Sequence, residues 1–122
     1  MHYSKLIAAA FAVAALAIAA SAHAEFGAVA LEEGTGKYGV AWNQSNQKQA
    51  DDTATKDCNA TGCKIVMRLK SKQCGAIAIT EDGKTWGGAD RKTRAAAELA
   101  AIQNCQKRTK VQCTIKSAEC NR

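Results

Sequence analysis

Proline is absent from the 122 residues, and histidine occurs only at His2 and His23. Without proline there is no stiff extended linker, and no low-complexity stretch stands in for one. Both histidines precede or interrupt the motif Ala22-His23-Ala24, which reads as a processing site. Beyond it the chain lacks the usual general base at neutral pH and the commonest metal ligand. Ser-His, Cys-His and His-metal chemistry are thereby excluded from residues 25–122. No Cys-x-x-Cys pair occurs, which removes the reactive dithiol of a redox enzyme. Aromatic residues are 5% of the chain. After residue 24 they are Phe26, Tyr38, Trp42 and Trp86, too few for a base-stacking surface, and nucleic acid is not an expected partner.

The one long apolar run lies at the start. Lys5 is followed by an alanine-rich stretch, Leu6 to Ala20, and then by the small-residue motif. This is the order of a secretory signal peptide, and the run is short for a transmembrane span of ~20 residues. Residues 1–24 are expected to be removed, leaving 25–122 as one domain with no transmembrane anchor, exported to the periplasm or the cell exterior. Without Lys5, the seventeen Lys and Arg become sixteen against eleven Asp and Glu, a net of +5. A basic surface suits an acidic protein or an anionic polymer as partner.

What is present is duplication. Gly27-Ala28-Val29-Ala30-Leu31 returns as Gly75-Ala76-Ile77-Ala78-Ile79, and Tyr38-Gly39 returns at the same offset as Trp86-Gly87. Each copy carries three cysteines, giving two similar units, 26–74 and 75–122, in one stapled domain. In the first unit, Phe26–Leu31 and Lys37–Trp42 flank a glycine-containing turn. In the second, Ala76–Thr80 and Lys84–Ala89 flank Glu81-Asp82-Gly83. Both read as hairpins.

A helix follows each hairpin. Asn46 caps the first, with Gln49 three residues on and Ala50, Ala54 and Cys58 on one face. Thr93 caps the second, with Ala95, Leu99, Ile102 and Cys105 as its apolar stripe. A third strand closes each unit. Lys64–Lys70 alternates, with Ile65, Met67 and Leu69 inward, and Val111–Lys116 is its counterpart. The fold class is α+β: strand-strand-helix-strand, twice, as one antiparallel-rich sheet domain with two packed helices and a pseudo-two-fold relation.

Six cysteines allow fifteen pairings. Cys63 and Cys74 flank an extended strand, and ten residues at ~3.3 Å each separate them too far to bond. Cys58 ends a helix and Cys63 opens the next strand, within reach. Cys105 and Cys113 are the repeat equivalents. Cys74 and Cys120 are left, as a staple between units. This set is favoured among the fifteen. The spacings do not suit zinc, and neither a metal nor a cofactor is expected.

Together, Gly-Ala-Ile/Val-Ala, an aromatic-Gly a turn later, an alanine-rich helix ending in cysteine and a cysteine-opened strand resemble the exported bacterial domain-of-unknown-function family numbered 4189. The resemblance covers nearly all of residues 26–120. It implies export and a double unit, and it supplies no reaction and no catalytic residues. Family members often carry Trp-Gly-Trp-like runs in the second strand. Here these are reduced to Tyr38-Gly39 and Trp86-Gly87-Gly88.

The candidate contact residues are Lys64, Arg68, Lys70 and Lys72, spaced for one strand face, with the following turn as the alternative place for Lys72, and Trp42, whose repeat counterpart is Asp90. Two further basic groups are Lys107, Arg108 and Lys110, and Arg91, Lys92 and Arg94. Tyr38 and Trp86, being equivalent, are expected to pack. The expected function is non-enzymatic binding of an acidic protein or anionic envelope polymer through a basic face. The alternatives are a carboxylate-based periplasmic hydrolase using Glu33 and Glu81, or a secreted effector.

Overall fold

A computed structural model describes residues 25–122. The proposed signal peptide, residues 1–24, lies outside the described residues. The chain runs β1 (Phe26–Glu32), β2 (Lys37–Gln44), α1 (Gln47–Cys58), β3 (Lys64–Leu69), then β4 (Cys74–Thr80), β5 (Trp86–Arg91), α2 (Arg94–Gln106) and β6 (Cys113–Cys120). Among the described residues, no helix is long and apolar enough to cross a membrane.

Each unit closes its own antiparallel sheet, ordered β2-β1-β3 and β5-β4-β6. The two sheets are not joined into one. The reason is the composition of the two central strands, β1 and β4, which are buried on both faces. Alanines point one way. Ala28, Ala30 and Ala41 meet Ala50, Ala54 and Cys58 of α1. Ala76, Ala78 and Ala89 meet Ala97, Ala100, Ala101 and Cys105 of α2. The large residues point the other way, where Val29 and Leu31 pack on Ile77 and Ile79. Each such side chain contributes about 2 kcal/mol of apolar burial. The layers are therefore helix, sheet, sheet, helix. The unbroken apolar runs Ala28–Leu31 and Ala76–Ile79 carry this signal, since a strand covered on both faces does not alternate with polar residues.

Small residues let the helices sit close. A Cβ on Gly39 would lie 2.2 Å from the Ala54 carbonyl oxygen, and one on Gly87 would lie 2.2 Å from the Cys105 amide nitrogen. This close seat corrects the stripe expected for α2 at Ala95 and Leu99, which are exposed, while Ile102 packs against the cluster and Cys105 is buried as expected. The helix buries Ala97, Ala100, Ala101 and Cys105, while Leu99 is 58% exposed. A helix lying backbone-to-backbone on a glycine has room beneath it for alanine but not for leucine. The caps follow the sequence reading. The Gln49 amide donates to Asn46 Oδ1 at 2.8 Å, and the Ala96 amide donates to Thr93 Oγ1 at 3.2 Å. Val111, expected in the last strand, lies before β6 and is exposed.

Three disulfides join Cys58 to Cys63, Cys105 to Cys113 and Cys74 to Cys120. The first two pin the end of each helix to the start of the following strand. The third does not staple unit to unit. Cys74 opens β4 and stands directly opposite Cys120 on β6, so this bridge lies within the second sheet. The unit boundary therefore falls before Cys74, in the turn at 70–73.

Candidate functional site

The domain has two ends. At one, the hairpin loops of the two units meet: a Cβ on Gly83 would lie 2.3 Å from Thr35 backbone atoms. Gly83 has φ +73°, which glycine adopts without strain. A shallow recess of about 240 Å³ opens there, lined by Glu33, Lys84, Thr85, Trp86 and Arg108. The Arg108 guanidinium lies 5.4 Å from the Trp86 ring centroid. Three carboxylates at this end, those of Glu32, Glu33 and Asp82, are internally engaged. The Thr35 hydroxyl and then the Gly62 amide hold Glu32 below the usual carboxylate range, and the Thr80 hydroxyl and then the Lys84 amide do the same for Asp82. Glu33 pairs with Lys64 at 3.6 Å. Glu81 is exposed in the other hairpin loop and shares no hydrogen bond with Glu33 among the described residues.

The sequence expectation placed Lys64, Arg68, Lys70 and Lys72 on one face. The structure separates them. The ladder between β1 and β3 has a bulge: Val29 opposes Met67 and Ala30 opposes Ile65, so Val66 is the extra residue. One inserted residue reverses the alternation of side chains beyond it. Ile65 therefore packs toward α1, while Val66 and Met67 pack between the sheets. Arg68 turns toward α1 and donates from Nε and Nη2 to Asp51, with Nη2 to Oδ2 at 2.9 Å. The Arg68 guanidinium, and secondarily Gln47, hold the Asp51 carboxyl below its usual range. Lys64 and Arg68 are thus committed to carboxylates of their own unit. Trp42 is half-buried, with its ring edge beside Gly75 and its buried indole N–H without a partner among the described residues. Tyr38 and Trp86 pack against the layer between the sheets, as their equivalence predicts. The Tyr38 hydroxyl also donates to the Lys116 carbonyl oxygen at 3.2 Å, across the two units.

Lys70 and Lys72 belong instead to the opposite end. Lys72 sits in the 70–73 turn with φ +61°. Its amide donates to the Arg122 carbonyl oxygen at 3.3 Å. Arg91 stands opposite Cys74 in the β4–β5 ladder, and Lys92 follows it. The Lys92 carbonyl oxygen lies 3.6 Å from Cys74 Sγ. Lys70, Lys72, Arg91, Lys92 and Arg122 therefore gather around Cys74, and all five are exposed. None of them joins an ion pair among the described residues. The nearby carboxylates are those of Glu25 and Asp90, while Glu119 lies 3.7 Å from Arg94. The sequence reading places Lys70 and Lys72 in one basic run and Arg91 and Lys92 in another, and it does not single out Arg122.

Asn121 builds this pole, and no motif marked it in the sequence. It is 4% exposed. Its Nδ2 donates to the Leu69 and Lys70 carbonyl oxygens, each at 3.1 Å, and its Oδ1 accepts from the Asn43 amide at 3.0 Å. Asn43 Oδ1 in turn accepts from the Arg122 amide at 2.8 Å. Two asparagines thus tie the chain end of the second unit to the strand ends of the first. Asn43 has φ +55°, a region that asparagine tolerates better than most residues.

Fold and surface together define an internally duplicated, disulfide-stapled α+β domain with a cationic pole. The chain belongs to the family described as Domain of unknown function (DUF4189), whose model matches residues 26–120. It is similar to the protein in the NMR structure of Rv1813c from Mycobacterium tuberculosis, with a TM-score of 0.58 and 29% sequence identity over 80% of this chain and 75% of that one. Among curated proteins, none matches the chain.

Proposed function

We propose that this protein is an exported binding module that engages an anionic partner, an acidic protein or an anionic envelope polymer, through the pole formed by Lys70, Lys72, Arg91, Lys92 and Arg122. The observation that carries the reading is five exposed cations held together, none of them in an ion pair among the described residues. Crowding like charges works against the folded state, and nothing in the core requires it. Three disulfides suit an oxidising compartment, in keeping with the signal-peptide pattern of residues 1–24.

Retention on immobilised dextran sulfate, eluted with salt, tests this reading. The triple variant Lys70→Glu, Lys72→Glu, Arg91→Glu should elute at much lower salt than the parent. The triple variant Lys84→Glu, Lys107→Glu, Lys110→Glu, at the hairpin end, carries the same charge change and should lose much less. Equal losses in the two triples would show net charge at work rather than the pole, and the proposal would fall.

A further inference from the structure

The pole lies where the apolar leader joins the fold. Glu25 is the first described residue, and its amide donates to Ser71 Oγ at 2.6 Å. Ser71 stands between Lys70 and Lys72, and its own hydroxyl donates back to the Glu25 carbonyl oxygen at 3.4 Å. The chain therefore enters the domain at the turn that carries two of the five cations. The apolar run ends at Ala20. Five residues at ~3.3 Å each allow a reach of about 17 Å at most between Ala20 and Glu25. While the run sits in a bilayer, the pole is held within one or two Debye lengths of the headgroups, each about 8 Å at physiological salt.

Resting on the reading that the pole binds anions, we propose that its partner is the anionic phospholipid surface of the membrane from which the leader emerges. The geometry matches the need. Lys70 and Lys72 flank the entry point, Arg91 and Lys92 approach from the second sheet, and the Asn43–Asn121 ties hold Arg122 beside them. A lysine or arginine held close to an anionic lipid surface contributes about 1 kcal/mol of attraction, which falls off over a Debye length. Glu25 and Asp90 are the opposing charges, and five cations outnumber them. The hairpin end, with its engaged carboxylates and the Arg108–Trp86 stack, lies at the far end of the strands and faces away from such a surface.

The test is co-sedimentation of the oxidised protein, as recovered from the expressing cell, with vesicles. One set is phosphatidylcholine alone and the other adds phosphatidylglycerol. Any leader that remains carries Lys5 and is the same in parent and variants, so the loss caused by each substitution reports the pole. Binding should be stronger to the phosphatidylglycerol vesicles and should fall as salt rises. Each of Lys70→Gln, Lys72→Gln and Arg91→Gln should weaken that extra binding about fivefold. Lys84→Gln should leave it unchanged. Equal binding to both vesicles, or extra binding insensitive to the three pole substitutions, overturns the lipid proposal. If pole-dependent retention on dextran sulfate persists in that case, the anion-binding reading survives and the partner is a polymer or protein. If it is lost as well, both readings fall.

Discussion

Replacing Gly87 by alanine while leaving Gly88 intact, and the reverse, isolates how the helices are seated. A Cβ on Gly87 would lie 2.2 Å from the Cys105 amide nitrogen, 2.7 Å from the Ala101 carbonyl oxygen and 2.8 Å from the Asn104 carbonyl carbon. All three are backbone atoms, so no side chain can rotate away. Ordinary contact begins near 3.4 Å, and α2 must move outward by about 1 Å. That shift loosens Ala97, Ala100 and Ala101 from β4 and strains the Cys105 anchor. Overpacking of this kind costs about 3 kcal/mol, the upper part of the usual range. For a domain of this size that lowers Tm by about 15 °C. Gly88, its neighbour, faces the other sheet. A Cβ there would meet Met67 Sδ and Trp86 Cζ3 at 3.4 Å, an ordinary contact. Gly88→Ala should therefore change stability by less than about 0.5 kcal/mol. Gly39→Ala should repeat the Gly87 result in the first unit, because its Cβ would lie 2.2 Å from both the Ala54 oxygen and the Cys58 nitrogen. Urea and thermal unfolding of the oxidised proteins, followed by far-UV circular dichroism, measure all three. A Gly87→Ala protein as stable as Gly88→Ala would refute the close seating of helix on sheet.

Three other outcomes follow from the same packing. Removing bridges one at a time by paired Cys→Ala changes should cost in order of loop length: about 4 kcal/mol for Cys74–Cys120, separated by 46 residues, and about 2 kcal/mol for Cys58–Cys63, separated by 5. Urea titration ranks them, and a reversed order contradicts the loop-closure account. Asn121→Ala leaves the Asn43 amide and the Lys70 and Leu69 carbonyl oxygens short of partners and should cost about 2 kcal/mol. Amide exchange should rise at Asn43, and unaltered exchange there would count against the tie. Because folding lowers the Asp51 pKa, its stabilising contribution is complete above the ordinary carboxylate range and is lost as pH falls through the folded value. Asp51→Asn should flatten that part of the acid limb of a stability–pH curve, and an identical limb would remove the Arg68 pairing from the account.

Much of the fold is legible in the residues. The 48-residue offset locates both hairpins, Asn46 and Thr93 mark both helix starts, and chain reach favours the disulfide set that is observed. The failures share a cause: they depend on what covers a strand. Ala28–Leu31 and Ala76–Ile79 read as strands, but an apolar run does not say what covers its second face, and the single sheet it suggests is in fact two that stack. The bulge at Val66 has no local signature, since it is set by pairing with β1, and it moved Arg68 off the face assigned to it. The pole draws on residues 70–72, 91–92 and 122, which only the sheet registers bring together. Asn121 was silent because a buried asparagine is recognised by its partners, and those lie about fifty and eighty positions away.

The central claim is that the anion-facing surface is the pole around Cys74. An NMR titration of the uniformly 15N-labelled, oxidised protein with a short dextran sulfate tests it residue by residue. The account predicts that amide shifts concentrate at Lys70, Lys72, Arg91, Lys92 and Arg122. Shifts centred on Lys84 and Lys107–Lys110, or spread evenly over the surface, would contradict it.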